Sequence, residues 1–280
     1  MRAVIGRVDG FFSLDDLASH PAGIYRAGSA RVFAKLGDRT HFEAEIKGLE
    51  LVGRHVATPK PIAIVEHQDQ AVLLLEAIDE VPAAQRTDEQ WRGVGRALAT
   101  LHGTKSTKWG LDAFDGFFGP LPQDNRPVAS NKWRDFYRER RIRPRLEQVS
   151  LPKELTQAIE QAVERAEMPD AVPSLLHGDP QQNNLLTSAD KAWFIDVAPY
   201  YGHPEADLAL VDYFAPVPAA LFDGYREVRP IEEGFAERKE LWRLHGYLAV
   251  IAVEGERGTF LPRIEEAVAR VRCRHVGSAG

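Results

Sequence analysis

The apolar positions of this chain change character near residue 80: short strand-like runs come before it and helical spacing follows. Arg31-Val-Phe-Ala-Lys-Leu36 predicts a strand. Thr40 with Glu43 then predicts a capping box for a helix to about Val52, with Gly53 as its stop. On that helix Phe42, Ile46, Leu49 and Val52 form the apolar stripe. Pro59 and Pro61 precede two strand-like runs, 62–66 and 71–76, with a His-Gln-Asp-Gln turn between them. Residues 77–86, with Pro82 among small and charged residues, predict a hinge. Thr87 and Gln90 make a second capping box, and Trp91, Val94, Leu98 and Leu101 recur at helical spacing before Gly103. A loop rich in Gly, Pro and Asp spans 103–130. Helices are predicted at about 131–147, 153–167, 205–214, 237–254 and 261–274, with short strands and turns over 174–201. The pattern predicts an α+β chain of two lobes: a small strand-rich lobe over 1–77, a hinge at about 75–80, and a larger, mostly helical lobe over 78–280.

The chemistry is concentrated in the turn-rich stretch. His177-Gly178-Asp179-Pro-Gln-Gln-Asn-Asn184, followed by Phe194-Ile195-Asp196, places an acid, an amide five positions on, and a second acid after a short hydrophobic strand. Phosphoryl transfer from a magnesium nucleotide uses one carboxylate to orient the attacking hydroxyl, and an amide with a second carboxylate to hold Mg²⁺. The spacing from Asp179 to Asn184 is that of a protein-kinase catalytic loop. Leu185-Leu186-Thr187 and Ala192-Trp193-Phe194-Ile195 flank a turn sequence, so a hairpin would bring Asn184 and Asp196 together at its open end. An aspartate at its ordinary pKa of about 3.9 is a weak base, so Asp179 is expected mainly to position the hydroxyl and take its proton late. Each residue alone reads better as a turn, cap or strand end; the three together at this spacing favour the chemistry.

Upstream, Glu45 falls on the apolar stripe of the helix 40–52, a costly place for an unpaired carboxylate. Lys35, ending the preceding strand, is its natural partner, and such a Lys can reach the α- and β-phosphates of ATP. A surface ion pair worth ~0–1 kcal/mol is the alternative. Gly23-Ile-Tyr-Arg-Ala-Gly28 stands where a phosphate-covering turn belongs, although a plain hairpin turn would read the same way. Leu75, Ala77 and Ile78 at the hinge would offer backbone groups to adenine. Asp207 would brace the catalytic loop, with His177 as further support, or would cap a helix. His102 and His245 read as structural. The seven basic residues from Lys132 to Arg145 read as a solvated helix face.

Bulk composition narrows the setting. A net charge of −6 over 280 residues argues against general nucleic-acid binding. The single cysteine, Cys273, has no internal disulfide partner, which favours a reducing compartment. Arg2, Arg7, Asp9, Asp15 and Asp16 interrupt the first twenty residues, unlike a secretory signal. No run approaches the ~18 apolar residues of a membrane span. A cytoplasmic monomer without membrane or nucleic-acid partners is expected.

With these residues in place the chain resembles the fructosamine kinase family, within the larger group that includes aminoglycoside phosphotransferases. The resemblance rests on Phe42-Glu-Ala-Glu45, Pro59-Lys-Pro61, Leu121-Pro-Gln-Asp-Asn125, Phe136-Tyr137 with Arg141-Ile142, Leu176-His-Gly-Asp179 with Asn184, Phe194-Ile-Asp-Val-Ala-Pro-Tyr-Tyr-Gly-His203, and Asp207-Leu-Ala209. It implies a bilobal protein-kinase-like fold, with an antiparallel sheet and one helix in the small lobe. It also implies transfer of the γ-phosphoryl of ATP, with Mg²⁺, to a sugar hydroxyl of a ketosamine, a glycated amine. By that similarity Asp179 is the base, Asn184 and Asp196 hold Mg²⁺, and Lys35 with Glu45 anchors nucleotide. Kinases of other amino sugars or aminoglycosides, and a nucleotide-binding pseudokinase acting as an interaction module, are the alternatives. Three departures bear on the acceptor and the glycine loop. Pro180-Gln181 stands where relatives have Leu-Trp, Val250 and Ala252 stand where they commonly have His and Asn, and the glycine loop is shorter and lacks a cysteine.

Overall fold

The computed structural model describes residues 10–13, 21–27, 30–255 and 260–277. Five antiparallel strands, β1 (Gly10–Ser13), β2 (Ala22–Ala27), β3 (Ala30–Gly37), β4 (Pro61–His67) and β5 (Gln70–Glu76), form a sheet in the order β1-β2-β3-β5-β4. The two-residue period of strands sorts its side chains. Leu73 and Leu75 join Phe42, Leu49 and Val52 of helix α1 (Arg39–Val52), while Leu74 turns to the opposite face with Val32 and Ala34. Helix α1 starts one residue before the expected Thr40. Its cap is Asp38, whose side chain accepts the His41 N–H at 3.1 Å, and Glu43 is taken by Arg39 at 2.7 Å instead of closing a capping box. An aspartate preceding the first turn satisfies the orphan amides as well as a threonine does, and the apolar stripe is unaffected by the shift.

Gly23 departs from expectation. It lies inside β2, paired with Ser13 and Ala34, and is no part of a turn; Gly28 lies outside the described residues. Leu75 likewise sits within β5, paired with Phe33 and Pro61 on its two sides, so its backbone belongs to the ladder. Ala77 and Ile78 lie beyond the strand end. The linker that follows is fastened to the rest of the chain: Val81 N–H donates to Thr187 O at 2.7 Å, and the Arg86 guanidinium donates to Leu185 O at 2.8 Å.

The remaining chain is mostly helical. Helix α2 (Asp88–Leu101) opens with the capping box expected of Thr87 and Gln90. A helix follows as α3 (Trp133–Tyr137), a π turn (Arg138–Ile142) and α4 (Arg143–Leu146). Then come α5 (Lys153–Arg165), α6 (Pro204–Leu210), α7 (Ala219–Arg226), α8 (Phe235–Glu254) and α9 (Phe260–Gly277). Two features escaped the sequence pattern. The stretch 103–130 contains a hairpin, β6 (Gly116–Phe118) with β7 (Leu121–Gln123), and α7 was not foreseen. Two further short pairings complete the fold: β9 (Leu185–Thr187) with β10 (Ala192–Phe194), and β8 (Ser174–Leu175) with β11 (Tyr201–Gly202). Helix α8 is buried on most of its circumference, through Leu241, Trp242, Leu244, His245, Tyr247, Leu248 and Ile251, as befits the centre of a helical layer. Among the described residues no helix is long and apolar enough to cross a membrane.

The basic stretch 132–145 is not a solvated face. Arg141 and Arg145 are buried, and Arg141 stacks 3.9 Å from the Tyr200 ring centroid while donating to Asn125 Oδ1 at 2.7 Å and Asp124 O at 2.9 Å. A flat guanidinium can be taken inside when rings cover its faces and oxygens receive its edge. Burial still pushes Arg141 down, and Arg145 to about 10. The segment 121–125 thus has a packing role: Asn125 receives Arg141, and Gln123 meets His245 at 3.2 Å.

Candidate active site

Strand β3 delivers the first group. Lys35 shares the α1-facing side of β3 with Phe33, since the alternate residues Val32 and Ala34 face the other way. Its Nζ meets Glu45 Oε2 at 2.8 Å and Asp196 Oδ1 at 2.6 Å. The side chains of Lys35 and Glu45 are 7% and 4% exposed, which rules out a solvated surface pair. Burial alone would push the Lys35 ammonium down, but Asp196 and Glu45 outweigh it and hold the group above its ordinary range. Burial raises Glu45, with Lys35 pulling against it and Asp196 adding to it. One ammonium thus serves two carboxylates.

The hairpin delivers the second group. Pairing of β9 with β10 extends to a bond from Ile195 N–H to Asn184 O at 3.1 Å, so Asn184 and Asp196 meet at the open end as their spacing predicted. Asp196 adopts φ +49°, a left-handed conformation that non-glycine residues seldom take. Asn184 Nδ2 donates to the Asp179 carbonyl at 2.9 Å and lies 3.4 Å from Asp179 Oδ2. Asp179 Oδ1 has no hydrogen-bond partner and is buried. Burial, with the charges of Asp196 and Asp207, pushes Asp179 up to about 7, against the Gln181 and Asn184 amides. The ordinary carboxylate expected from the sequence is therefore a stronger base in place.

The loop between these groups is held from behind. Gly178 has φ +89°, and a Cβ there would sit 2.0 Å from Ala198 O. Only glycine fits that backbone. Asp207 accepts the His177 N–H at 2.7 Å through Oδ2 and the Gly178 N–H at 3.0 Å through Oδ1. The capping alternative for Asp207 is excluded, because α6 is capped by His203, whose Nδ1 accepts the Glu205 N–H at 3.1 Å. His177 is buried, pushed down to about 4 by that burial, and its Nδ1 accepts the Asp179 N–H at 3.3 Å.

Sequence reasoning missed two members of this brace. His102 Nε2 lies 3.0 Å from Asp207 Oδ2, and its Nδ1 lies 2.9 Å from the Tyr225 hydroxyl. Burial holds His102 below its usual range. The neutral ring therefore donates from Nε2 to Asp207 and accepts at Nδ1 from Tyr225. The sequence predicts a structural role for His102, and it has one, but nothing in the sequence ties it to Asp207; Tyr225 lies on α7, which periodicity does not predict. Lys35, Glu45, Asp179, Asn184, Asp196, His177 and Asp207 are brought together, whereas Gly23 and Leu75 lie within the sheet. Among the described residues no group of three or more His, Cys, Asp or Glu side chains could hold a metal by itself.

Comparison with known proteins finds relatives of the whole chain. The fructosamine kinase family profile matches residues 18–270. A probable ketoamine kinase of Pasteurella multocida is 31% identical over 237 residues, covering 81% of this chain and 80% of that one. The crystal structure of a putative fructosamine-3-kinase from Thermobifida fusca superposes with a TM-score of 0.80 at 28% identity, covering 96% of both chains. An aminoglycoside phosphotransferase solved with ADP and hygromycin B shares the fold, with a TM-score of 0.64 at 17% identity over 100% of this chain and 97% of that one.

Proposed function

This chain belongs to the fructosamine kinase family and is a phosphotransferase; from that premise we propose that it transfers the γ-phosphoryl group of ATP to a sugar hydroxyl of a ketosamine. The observation that carries the reading is the convergence of Lys35 on both Glu45 and Asp196, beside an Asp179 whose Oδ1 is unpartnered. In this reading residues 1–77 form the nucleotide lobe and 78–280 the catalytic and acceptor lobe, with Ala77 and Ile78 presenting backbone groups to adenine. Lys35, held in place by Glu45, reaches the α- and β-phosphates. Asp179 Oδ1 accepts the acceptor hydroxyl, aims it in line, and takes its proton late in the transfer.

Asn184 and Asp196 fit Mg²⁺ as a donor set. One amide oxygen and one carboxylate suit a hard cation that takes its other positions from phosphates and water. Asp196 is 40% exposed on its side chain, so a cation could approach it from solvent. The ion, when bound, would neutralise charge on the transferring phosphoryl group.

The test is an ATP-consumption screen with Mg²⁺ over ketosamines, amino sugars and aminoglycosides, with mass detection of the phosphorylated product. A ketosamine phosphate is expected. Turnover confined to an aminoglycoside would overturn the acceptor assignment, and nucleotide binding without turnover of any acceptor would favour a pseudokinase.

A further inference from the structure

Phe117 lies outside every motif that carries the chemistry, yet it reaches the helix that holds Glu45. Its ring stacks on that of His41 in α1, with centroids 4.5 Å apart and planes 8° from parallel. The contact joins distant parts of the chain, since β6 belongs to the helical portion and α1 packs on the five-stranded sheet. A second contact lies further along α1. A Cβ on Gly48 would stand 3.0 Å from Pro199 Cδ and 3.2 Å from Val197 Cγ2, so the bare backbone of Gly48 rests on the chain leaving Asp196. His41, Glu45 and Gly48 fall at positions i, i+4 and i+7, one stripe of the helix. Glu45 therefore meets Lys35 from between two points at which α1 is held.

The hairpin is mounted firmly enough to act as a support. Successive residues of a strand point to opposite faces. While Phe117 meets His41, Phe118 turns inwards, 5% exposed, with its ring 4.6 Å from that of His245 in α8. His245 in turn lies 3.2 Å from Gln123 Oε1 on the paired strand and 3.2 Å from Arg141 O. Asp115 Oδ1 accepts the Asn125 N–H at 2.9 Å across the base of the hairpin, and the buried Asn125 accepts from Arg141 at 2.7 Å. An α-helix keeps its own hydrogen bonds wherever it docks, so packing alone fixes where Glu45 stands.

We propose that Phe117 is a positioning residue for the nucleotide anchor: stacked on His41, the β6–β7 hairpin holds α1 where Glu45 meets Lys35. The proposal deepens the nucleotide-binding half of the proposed function and rests on it.

Calorimetric titration of Mg²⁺-ATP into the full chain and its Phe117→Leu, Phe117→Tyr, Glu45→Gln and Phe117→Leu/Glu45→Gln variants tests it. Phe117→Leu keeps bulk but loses the stack, and should weaken ATP binding about 2–10-fold, the worth of an aromatic pair. Phe117→Tyr should bind as the unaltered chain does. In the Glu45→Gln background Phe117→Leu should change nothing, because its effect runs through Glu45. His41→Leu should weaken ATP binding as Phe117→Leu does, and the two together no more than either, a cycle that decides even where Glu45→Gln fails to fold. Equal weakening by Phe117→Leu in both backgrounds, additive losses with His41→Leu, or no weakening at all would overturn the role of Phe117. If the unaltered chain binds no nucleotide, the proposed function itself fails and hydrogen exchange decides Phe117. Faster exchange of the α1 amides in Phe117→Leu, with α5 unchanged, upholds its hold on the helix; unchanged exchange in α1 overturns it.

Discussion

At the scale of single residues, Asp179 and Asp196 are two carboxylates with opposite surroundings. Asp179 is buried with one oxygen unpartnered; Asp196 is part-exposed and already bound to Lys35. Their removal should therefore fail in different ways. Asp179→Asn should lower the transfer rate by about 10²–10⁴-fold while ATP affinity stays nearly constant, since in the proposed function the lost group acts on the acceptor hydroxyl. Asp196→Asn should weaken Mg²⁺-ATP binding by about 10–100-fold, the worth of a charge-assisted contact. Calorimetric titration of ATP at several Mg²⁺ concentrations separates the two, and unchanged metal dependence in Asp196→Asn would contradict its assignment. The placement of both residues was legible because Asp179, Asn184 and Asp196 lie within one loop and hairpin, whose local hydrogen bonding is set by short-range geometry. The basicity of Asp179 was not legible, because it comes mainly from burial, with the charges of Asp196 and then Asp207 adding to it, and burial is set by tertiary packing.

At the scale of elements, α2 and α7 meet through two glycines. A Cβ on Gly95 would stand 2.0 Å from Leu221 O, and one on Gly224 would stand 2.1 Å from Arg92 O. Backbones this close leave no room for a methyl group. Gly95→Ala should cost about 1–3 kcal/mol by overpacking. Gly93→Ala, on the same helix, meets only the Arg96 guanidinium at 3.9 Å and should stabilise by about 0.5–1 kcal/mol through helix propensity. Urea unfolding of the two variants checks this, and the same sign for both would refute the contact argument. The helix α7 escaped notice because its stripe is short, Ala220, Leu221, Gly224 and Tyr225, and two of those four are too small to register as apolar anchors. Its importance is positional, since it carries the Tyr225 that completes the brace on His102 and Asp207.

At the scale of the whole molecule, several histidines are buried and neutral. His177 and His203 are pushed down to about 4, and His102 and His245 are also held below their usual range, in each case mainly by burial. A histidine with a folded pKa below its unfolded value of about 6.5 contributes its full stability above that value. The contribution is lost as pH falls towards the folded pKa, at about 1.4 kcal/mol per pH unit per group. Urea midpoints should therefore fall between pH 6.5 and 4, and His203→Asn, which keeps an acceptor for the Glu205 amide, should flatten the slope. An equally steep loss in that variant would remove His203 from the account.

The sequence by itself determined which groups gather at the candidate site and most of the elements that carry them. Asp179, Asn184 and Asp196 are fixed by local spacing, Lys35 by its strand, and Glu45 by the stripe of α1, where an acid could only be paired. Tertiary structure decided what those groups touch. It gave Lys35 two carboxylates, raised Asp179, took Arg141 and Arg145 inside, placed Gly23 in a strand, and set His102 and Tyr225 behind Asp207. Periodicity and spacing record contacts a few residues apart, because backbone geometry repeats over that range. Contacts between Asp207 and His102, or between Phe117 and His41, depend on how whole elements pack, and no local pattern encodes which side chains then meet.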